Sequence, residues 1–331
     1  MQQSKILISH ALSTLKANMQ RTGDPLGFKK PYWTDWADGQ QLPQQGDSTL
    51  LTARMYQMLP YVLQATELVK TARPLLPLLS WKVFGKMAHF GNALAGETIM
   101  RLKAKSAMHI KEKGERALKG ITAALRQVGQ NPSYLYDDEP YSGVLLYDLG
   151  LEEEIAPHIR KVGQRLNENG IKQVITVDPH TTFMLRQIYP KYISRQNLQV
   201  KHYLEILADS PVKLKANKKH ALPKEFVLHD SCVMTRDLEI IEQARKLMAA
   251  MGIRLVEPEN NRKNTACCGG PIEYAYGDLS GKVSNIRIQE LASVCKNILV
   301  TCPICLINFS KYEKALGIKV WDMGELLHAA I

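Results

Sequence analysis

Asn297-Ile-Leu-Val-Thr-Cys-Pro-Ile-Cys305 is an apolar run of strand length that ends in Cys-Pro-x-Cys, and Gln173-Val-Ile-Thr-Val-Asp-Pro-His-Thr181 lines up with it residue for residue. Two further pairs extend the match in both directions. Asp137-Asp-Glu-Pro-Tyr-Ser-Gly-Val-Leu-Leu-Tyr-Asp-Leu-Gly150 aligns with Asn264-Thr-Ala-Cys-Cys-Gly-Gly-Pro-Ile-Glu-Tyr274. Val200-Lys-His-Tyr-Leu-Glu-Ile-Leu207 echoes Val320-Trp-Asp-Met-Gly-Glu-Leu-Leu327. A repeat of this kind points to one supersecondary unit used twice. Each copy reads as an apolar strand, a proline turn, a helix, a short strand and a last helix. Strands alternating with helices predict an α/β fold, here a pseudo-duplicated one with two small parallel-sheet halves.

The second copy is the clearer. Glu225-Phe-Val-Leu228 is a β run entering His-Asp-Ser-Cys, and Arg236 to Met251 has apolar residues at helical spacing. Ile253–Val256 and Ile298–Val300 read as strands, Ser280–Val294 and Ile304–Ala315 as helices. The expected divisions are an N-terminal arm at 1–49, a first repeat at 50–210 with a helical insertion at about 73–130, and a second repeat at 211–331. Within the arm, Thr34 to Gly46 has no clear period and reads as extended or loop. Leu75 to Ala95 reads as an amphipathic, rather apolar helix.

Cys232, Cys267, Cys268, Cys302 and Cys305 account for five of the six cysteines. Each falls at the C-terminal end of an expected strand or in the loop beyond it, where ligands collect in open α/β sheets. Thiolates are soft ligands that select iron–sulfur clusters or zinc over hard cations. Adjacent side chains such as Cys267 and Cys268 cannot both chelate one zinc comfortably in an extended segment, but can reach different irons of a multinuclear cluster. Gly269 and Gly270 let the backbone approach such a cluster and expose amides to its sulfides. An iron–sulfur cluster is the leading expectation; structural zinc and metal-free catalytic thiols are the alternatives. Cys295, on a helix before a strand, reads as a structural thiol. His229 reads either as a donor to a cluster sulfur or as a loop cap.

His229-Asp-Ser-Cys232, Cys267-Cys-Gly-Gly-Pro271 and Cys302-Pro-x-Cys305 together resemble the cysteine-rich CCG-domain family, that of the HdrB-like iron–sulfur proteins of heterodisulfide reductase and their relatives. The resemblance covers 225–328 closely and about 50–210 as a degenerate copy. It implies that Cys232, Cys267, Cys268, Cys302 and Cys305 ligate one [4Fe–4S]-type cluster, cubane or noncubane. In the first copy Tyr141 and Ser142 replace the cysteine pair, and Asp178 and Thr181 replace the Cys-x-x-Cys, so one cluster is expected rather than two. Ser231 stands where the family usually has proline. Asp178 and His180 read as relics or as polar groups facing the cluster across the pseudo-twofold. His180 and His229 are the candidate proton donors.

The resemblance implies a heterodisulfide-reductase-like component acting on a disulfide or a protein-bound sulfur species. The alternatives are an electron-transfer component of a flavin-dependent hydroxy-acid dehydrogenase and a zinc-bound scaffold. No Gly-x-Gly-x-x-Gly and no ferredoxin-type cysteine run is present in the sequence, so flavin, nucleotide and further clusters are expected on partners: a ferredoxin-like iron–sulfur protein and a flavin-containing protein. Net charge is +11, with basic groups at Arg101–Arg126 and at Lys213, Lys215, Lys218 and Lys219. Without interleaved aromatics these read as solvated faces or a docking surface, not as a nucleic-acid site. No run is long enough to span a bilayer and no secretory leader is evident, so a cytoplasmic protein with peripheral membrane contact at most is expected.

Overall fold

A computed structural model describes residues 2–28, 33–72, 107–193, 198–210, 222–273 and 276–331. Its frame is two four-stranded sheets, one in each half of the chain. The first holds β1 (Ser48–Leu51), β2 (Ser133–Tyr134), β3 (Gln173–Thr176) and β4 (Gln199–His202) in the order β2-β1-β3-β4. The second holds β5 (Glu225–His229), β6 (Arg254–Val256), β7 (Asn297–Val300) and β8 (Lys319–Asp322) in the order β6-β5-β7-β8. Every pairing is parallel. The central strands are buried on both faces, as parallel sheets require, with Leu50, Ile175, Phe226, Ile298 and Leu299 inaccessible to solvent.

The helices, in chain order, are α1 (Gln2–Thr22), α2 (Leu59–Ala72), α3 (Met108–Gln127), α4 (Val144–Asp148), α5 (Glu152–Glu168), α6 (Pro179–Phe183) and α7 (Tyr203–Asp209) in the first half. The second half has α8 (Gln243–Ala250), α9 (Gly277–Val294), α10 (Pro303–Ser310), α11 (Glu313–Leu316) and α12 (Met323–Ala330). The halves exchange helix contacts. α3, the crossover between β1 and β2, packs on α12 of the second half, and α8, the crossover between β5 and β6, packs on α7 of the first. At the α3–α12 crossing Gly120 and Gly324 let the backbones meet; a Cβ on Gly324 would lie 2.5 Å from the Ala117 carbonyl. Lys113 bonds Glu313 and the Val320 carbonyl, Arg116 bonds Glu325, and Tyr56 donates to Asp322.

Several elements depart from the sequence reading. Within 1–49 the structure adds the helix α1, and Thr34–Gly46 is a loop, as one of its two readings had it, with a 3-10 turn at Asp35–Ala37: Trp36, Ala37 and Leu42 are buried, and the Trp36 indole donates to Tyr134. Trp33 and Trp36, both buried, anchor this segment where no period announced it. Of the stretch 73–130, Met108–Gln127 is the β1–β2 crossover, whereas 73–106 lies outside the described residues, as do Leu75–Ala95, Arg101–Lys105 and the lysines at 213–219. The helix expected from Arg236 begins only at Gln243. Before it, Val233–Asp237 forms a π-helical turn, and Glu239 adopts a left-handed backbone at φ 56°. Arg236 is occupied elsewhere, on the Lys263 and Thr265 carbonyls. The helix expected from Ile304 to Ala315 is divided between α10 and α11.

Candidate metal centre

Each thiol-bearing loop leaves the second sheet at the C-terminal end of a strand. β5 ends at His229, and Asp230 and Ser231 lead to Cys232. β7 ends at Val300, and Cys302 is the N-cap of α10 with Pro303 at its first position, where a missing N–H costs nothing. Cys305 sits three residues on, so both thiols share one helix face. The loop between β6 and α9 supplies Cys267 and Cys268. Gly269 holds φ +91°, and a Cβ there would lie 2.5 Å from the Ser280 carbonyl. Gly270 leaves no room beside Ile304 and Asn308. A side chain at either glycine would displace the Cys-Cys turn.

The five thiols form one continuous line. Cys232 neighbours Cys267, Cys267 neighbours Cys268, Cys268 neighbours Cys305, and Cys305 neighbours Cys302, each close enough to shift the next one's titration. His180, from the first half, completes the line at Cys302. Cys268, Cys302 and Cys305 are buried, and Cys232 and Cys267 are half-buried. Donation from Cys232 and Cys268 drives the Cys267 thiol down to about 2, helped by the Gly269 N–H, 3.3 Å from its sulfur. Burial opposes ionisation of Cys302, but donation from Cys305 and His180 overcomes it and lowers this thiol. Cys232 and Cys268 are pushed up first by Cys267, and Cys305 by Cys268 and Cys302, with burial adding to each. These directions belong to the set, since the groups share protons.

Side chains that the sequence did not single out hold the frame. Asp230 takes both Arg245 guanidinium nitrogens at 2.9 and 2.8 Å and accepts the Arg262 N–H at 2.7 Å. Thr265 donates to the Asp230 carbonyl at 2.9 Å, fixing the approach to Cys267. Asn308 points its amide at Cys268, 4.0 Å away. Arg287, with no exposure, donates to His229 Nδ1 at 3.2 Å and to Glu290 at 2.7 Å. His229 lies edge-on to Phe309, with ring centroids 4.8 Å apart. Its ring nitrogen and the sulfurs of Cys268 and Cys305 lie within 4.8 Å of one another. Burial and the Arg287 charge lower His229 to about 3, so it is neutral.

The two candidate histidines therefore flank the thiols from opposite halves. Burial alone would lower His180, but its bond to Cys302 and the charges of Cys302, Asp148 and Asp178 raise it to about 9. Asp178 caps α6 by accepting the Thr181 N–H at 2.9 Å. Ser142 and Thr181 meet at 3.3 Å, as Cys268 meets Cys305 in the other half. Cys295 is half-buried, away from the line, with its sulfur 3.6 Å from the Glu225 carbonyl. The donor set fits a thiolate-held cluster: five converging sulfurs, glycines that clear space beside them, and a buried histidine nitrogen without a partner in the protein.

Residues 226–310 match the family model of the cysteine-rich domain CCG. The chain is 26% identical over 215 residues to a probable iron–sulfur-binding oxidoreductase, FadF, of Bacillus subtilis, covering 62% of this chain and 30% of that protein. It is 26% identical over 244 residues to an EtfAB:quinone oxidoreductase of Syntrophomonas wolfei, covering 70% and 34%. A probable membrane-anchored ferredoxin of Chromohalobacter salexigens is 23% identical over 228 residues, covering 66% and 34%. The chain thus spans about a third of the length of the curated relatives it matches. Among the described residues no helix is long and apolar enough to cross a membrane. The expectation of a heterodisulfide reductase component in particular gives way to a broader one: these relatives are described as iron–sulfur and quinone oxidoreductases. Residues 226–310 are a cysteine-rich CCG domain, and its thiol cluster supports an iron–sulfur cofactor.

Proposed function

We propose that this chain is a single-cluster electron-transfer component of a flavin-dependent oxidoreductase, with Cys232, Cys267, Cys268, Cys302 and Cys305 as ligands of one [4Fe–4S]-type cluster. The observation that carries this reading is the convergence of five thiols on one side of the pseudo-twofold only. Such a cluster supplies one-electron transfer. The protein's own groups do the rest. Gly269 N–H and the Asn308 amide point at ligand sulfurs, Phe309 and Ile304 keep water out, and His180 holds a proton against Cys302. A flavin-containing partner donates the electrons, and the hydroxy-acid dehydrogenases are one type of assembly that uses such a relay. The character of the relatives favours relay over cleavage of a disulfide.

A second observation bears on the acceptor. An apolar cavity of about 150 Å³ lies between α1, α2 and α4 on one side and Pro271, Ile304 and Ile307 on the other. Its walls include Leu15, Met58, Leu59 and Val144, and the carboxyl among its described lining residues is Glu273, whose buried Oε2 has no hydrogen-bond partner in the protein. Burial raises the Glu273 carboxyl, against the opposing backbone hydrogen bond and the Lys311 charge, and its unpartnered oxygen faces the cavity. That combination supports a lipophilic carbonyl compound of the quinone class as acceptor.

Iron, acid-labile sulfide and zinc are measured on protein purified without oxygen, and the reduced protein is then offered a short-chain quinone or a mixed disulfide. Four iron and four sulfide with reoxidation by quinone are expected. Reoxidation by the disulfide alone returns the assignment to sulfur chemistry, and zinc without sulfide removes the redox role altogether.

A further inference from the structure

The buried pair Arg287–His229 decides a choice that the thiols leave open. His229, Cys268 and Cys305 are close enough to hold one metal ion among them, so the imidazole is either a ligand or a hydrogen-bond donor to the sulfurs. A histidine that ligates through Nε2 must carry its proton on Nδ1 and donate it outward. Here Nδ1 faces Arg287 Nε at 3.2 Å, and a guanidinium nitrogen can only donate. Two donors cannot face each other across that contact. The Nδ1 lone pair therefore accepts, and the ring proton sits on Nε2. That nitrogen is buried and has no partner in the protein.

We propose that Arg287 is a positioning residue that fixes His229 as its Nε2–H tautomer, so that His229 donates a hydrogen bond to sulfur beside Cys268 and Cys305 and raises the reduction potential of the cluster held there. The inference rests on the proposed iron–sulfur occupancy. The tuning follows from charge: an N–H aimed at sulfur stabilises the more negative, reduced state. Arg287 is well anchored for this task. Glu290 holds Nη1 at 2.7 Å, Thr265 holds Nη2 at 3.3 Å, and Phe309 blocks rotation of the imidazole out of the pocket. Position 229 closes β5, so the ring's direction is set by the sheet.

The test is a redox titration of the cluster, with iron and sulfide content measured on the same samples. In the full chain, His229→Leu retains iron and sulfide and lowers the midpoint potential. His229→Gln, whose amide can still donate, recovers part of the shift. Arg287→Met lowers the potential in the same direction, Arg287→Lys less so, and Arg287→Met adds nothing once His229 is Leu. If Arg287→Met fails to fold, the two His229 variants carry the test alone. Electron spin-echo spectroscopy of protein labelled with ¹⁵N-histidine should show a weak nitrogen coupling that His229→Leu removes. A coupling of directly bonded strength, or loss of iron in folded His229→Leu, makes His229 a ligand and overturns the proposal. An unchanged potential at full iron content overturns it too, while leaving the cluster assignment standing. Wild-type protein without iron and sulfide would sink the occupancy itself.

Discussion

The two halves share a strand order but fill the same hollow in opposite ways. In the second half, the C-terminal ends of β5 and β7 and the loop after β6 surround five sulfurs. In the first, strand pairing sets Leu51 against Thr176, as it sets His229 against Val300, so counting three residues on places Arg54 where Cys232 stands. Arg54 is buried, bonds Asp24 at 2.9 Å, and donates to the Glu139 carbonyl at 2.8 Å. The Glu139 carboxylate in turn accepts from Thr52 and Tyr134. Tyr141 occupies the place of Cys267, and Ser142 with Thr181 makes a hydroxyl pair where thiols meet opposite. Parallel sheets leave a polar hollow at their strand ends whatever the sequence. Five thiols fill it in the second half, whereas an ion pair and hydroxyls fill it with hydrogen bonds in the first.

The comparison breaks most visibly at the thiols. Cys268 lies mid-line and is 3% exposed. Cys268→Ser should abolish iron and sulfide binding on anaerobic reconstitution; wild-type iron content would show that this thiol is dispensable. In the first half the corresponding injury is to stability. Arg54→Leu leaves Asp24 buried and uncompensated, which costs roughly 3–5 kcal/mol. Urea unfolding should show that loss, while iron per folded chain stays at the wild-type level. A change below about 1 kcal/mol, the range of an exposed ion pair, would mean that the knot is solvated.

A subtler contrast sits at the last strand of each sheet. His202 and Asp322 are both fully buried and both cap the helix that follows, accepting from Leu204 and Gly324. Burial, with the Arg186 charge, lowers His202 from 6.5 to about 3. Its contribution is therefore present above pH 6.5 and is lost as pH falls toward 3. Burial also raises Asp322 from 3.8 to about 7, against the opposing bonds from Gly324 and Tyr56. Its contribution is present below pH 3.8 and is lost as pH rises through 7. At about 1.36 kcal/mol per pKa unit each slope is worth on the order of 4 kcal/mol across its window. Asp322→Asn should flatten the decline in urea midpoint between about pH 4 and 7, and His202→Asn the decline below about pH 6. Unaltered slopes in either variant would assign the pH dependence to other groups.

The cysteine spacing made the second half legible because soft ligands are rare and their positions relative to strand ends are informative. The proline turns Asp178-Pro179 and Cys302-Pro303 made the repeat legible, since both residues cap a helix at the same place in their sheet. The supporting residues were hidden. On α9, Ile286 is 71% exposed while its neighbour Arg287 is wholly buried, the reverse of what hydrophobicity predicts. Only the partners explain this: Arg287 is buried because His229, Glu290 and Thr265 receive its protons. Arg54 was silent for the same reason, since Asp24 and Glu139 lie far from it in sequence. The helix at Gln2–Thr22 and the buried Trp36 carried no strong period, and their order comes from packing on the first half.

The sharpest form of the comparison predicts no effect. Ser142→Cys with Thr181→Cys places two thiols where two hydroxyls now meet at 3.3 Å, reproducing the contact between Cys268 and Cys305. Iron per chain should nevertheless stay at the wild-type value, with two additional thiols titrating in the anaerobic protein. Three other positions argue against a second centre. Arg54 is tied to Asp24 and has φ 63°, whereas Cys232 has φ −60°. The Tyr141 hydroxyl is held by the Leu145 N–H at 2.9 Å, and Asp178 is spent on capping α6. Two thiolates do not make a four-iron site, and the backbone that presented Cys232 has been rebuilt around a guanidinium. A doubling of iron and sulfide in this variant would mean that loop geometry alone creates the site, and that the polar knot of the first half is only a lodger in it.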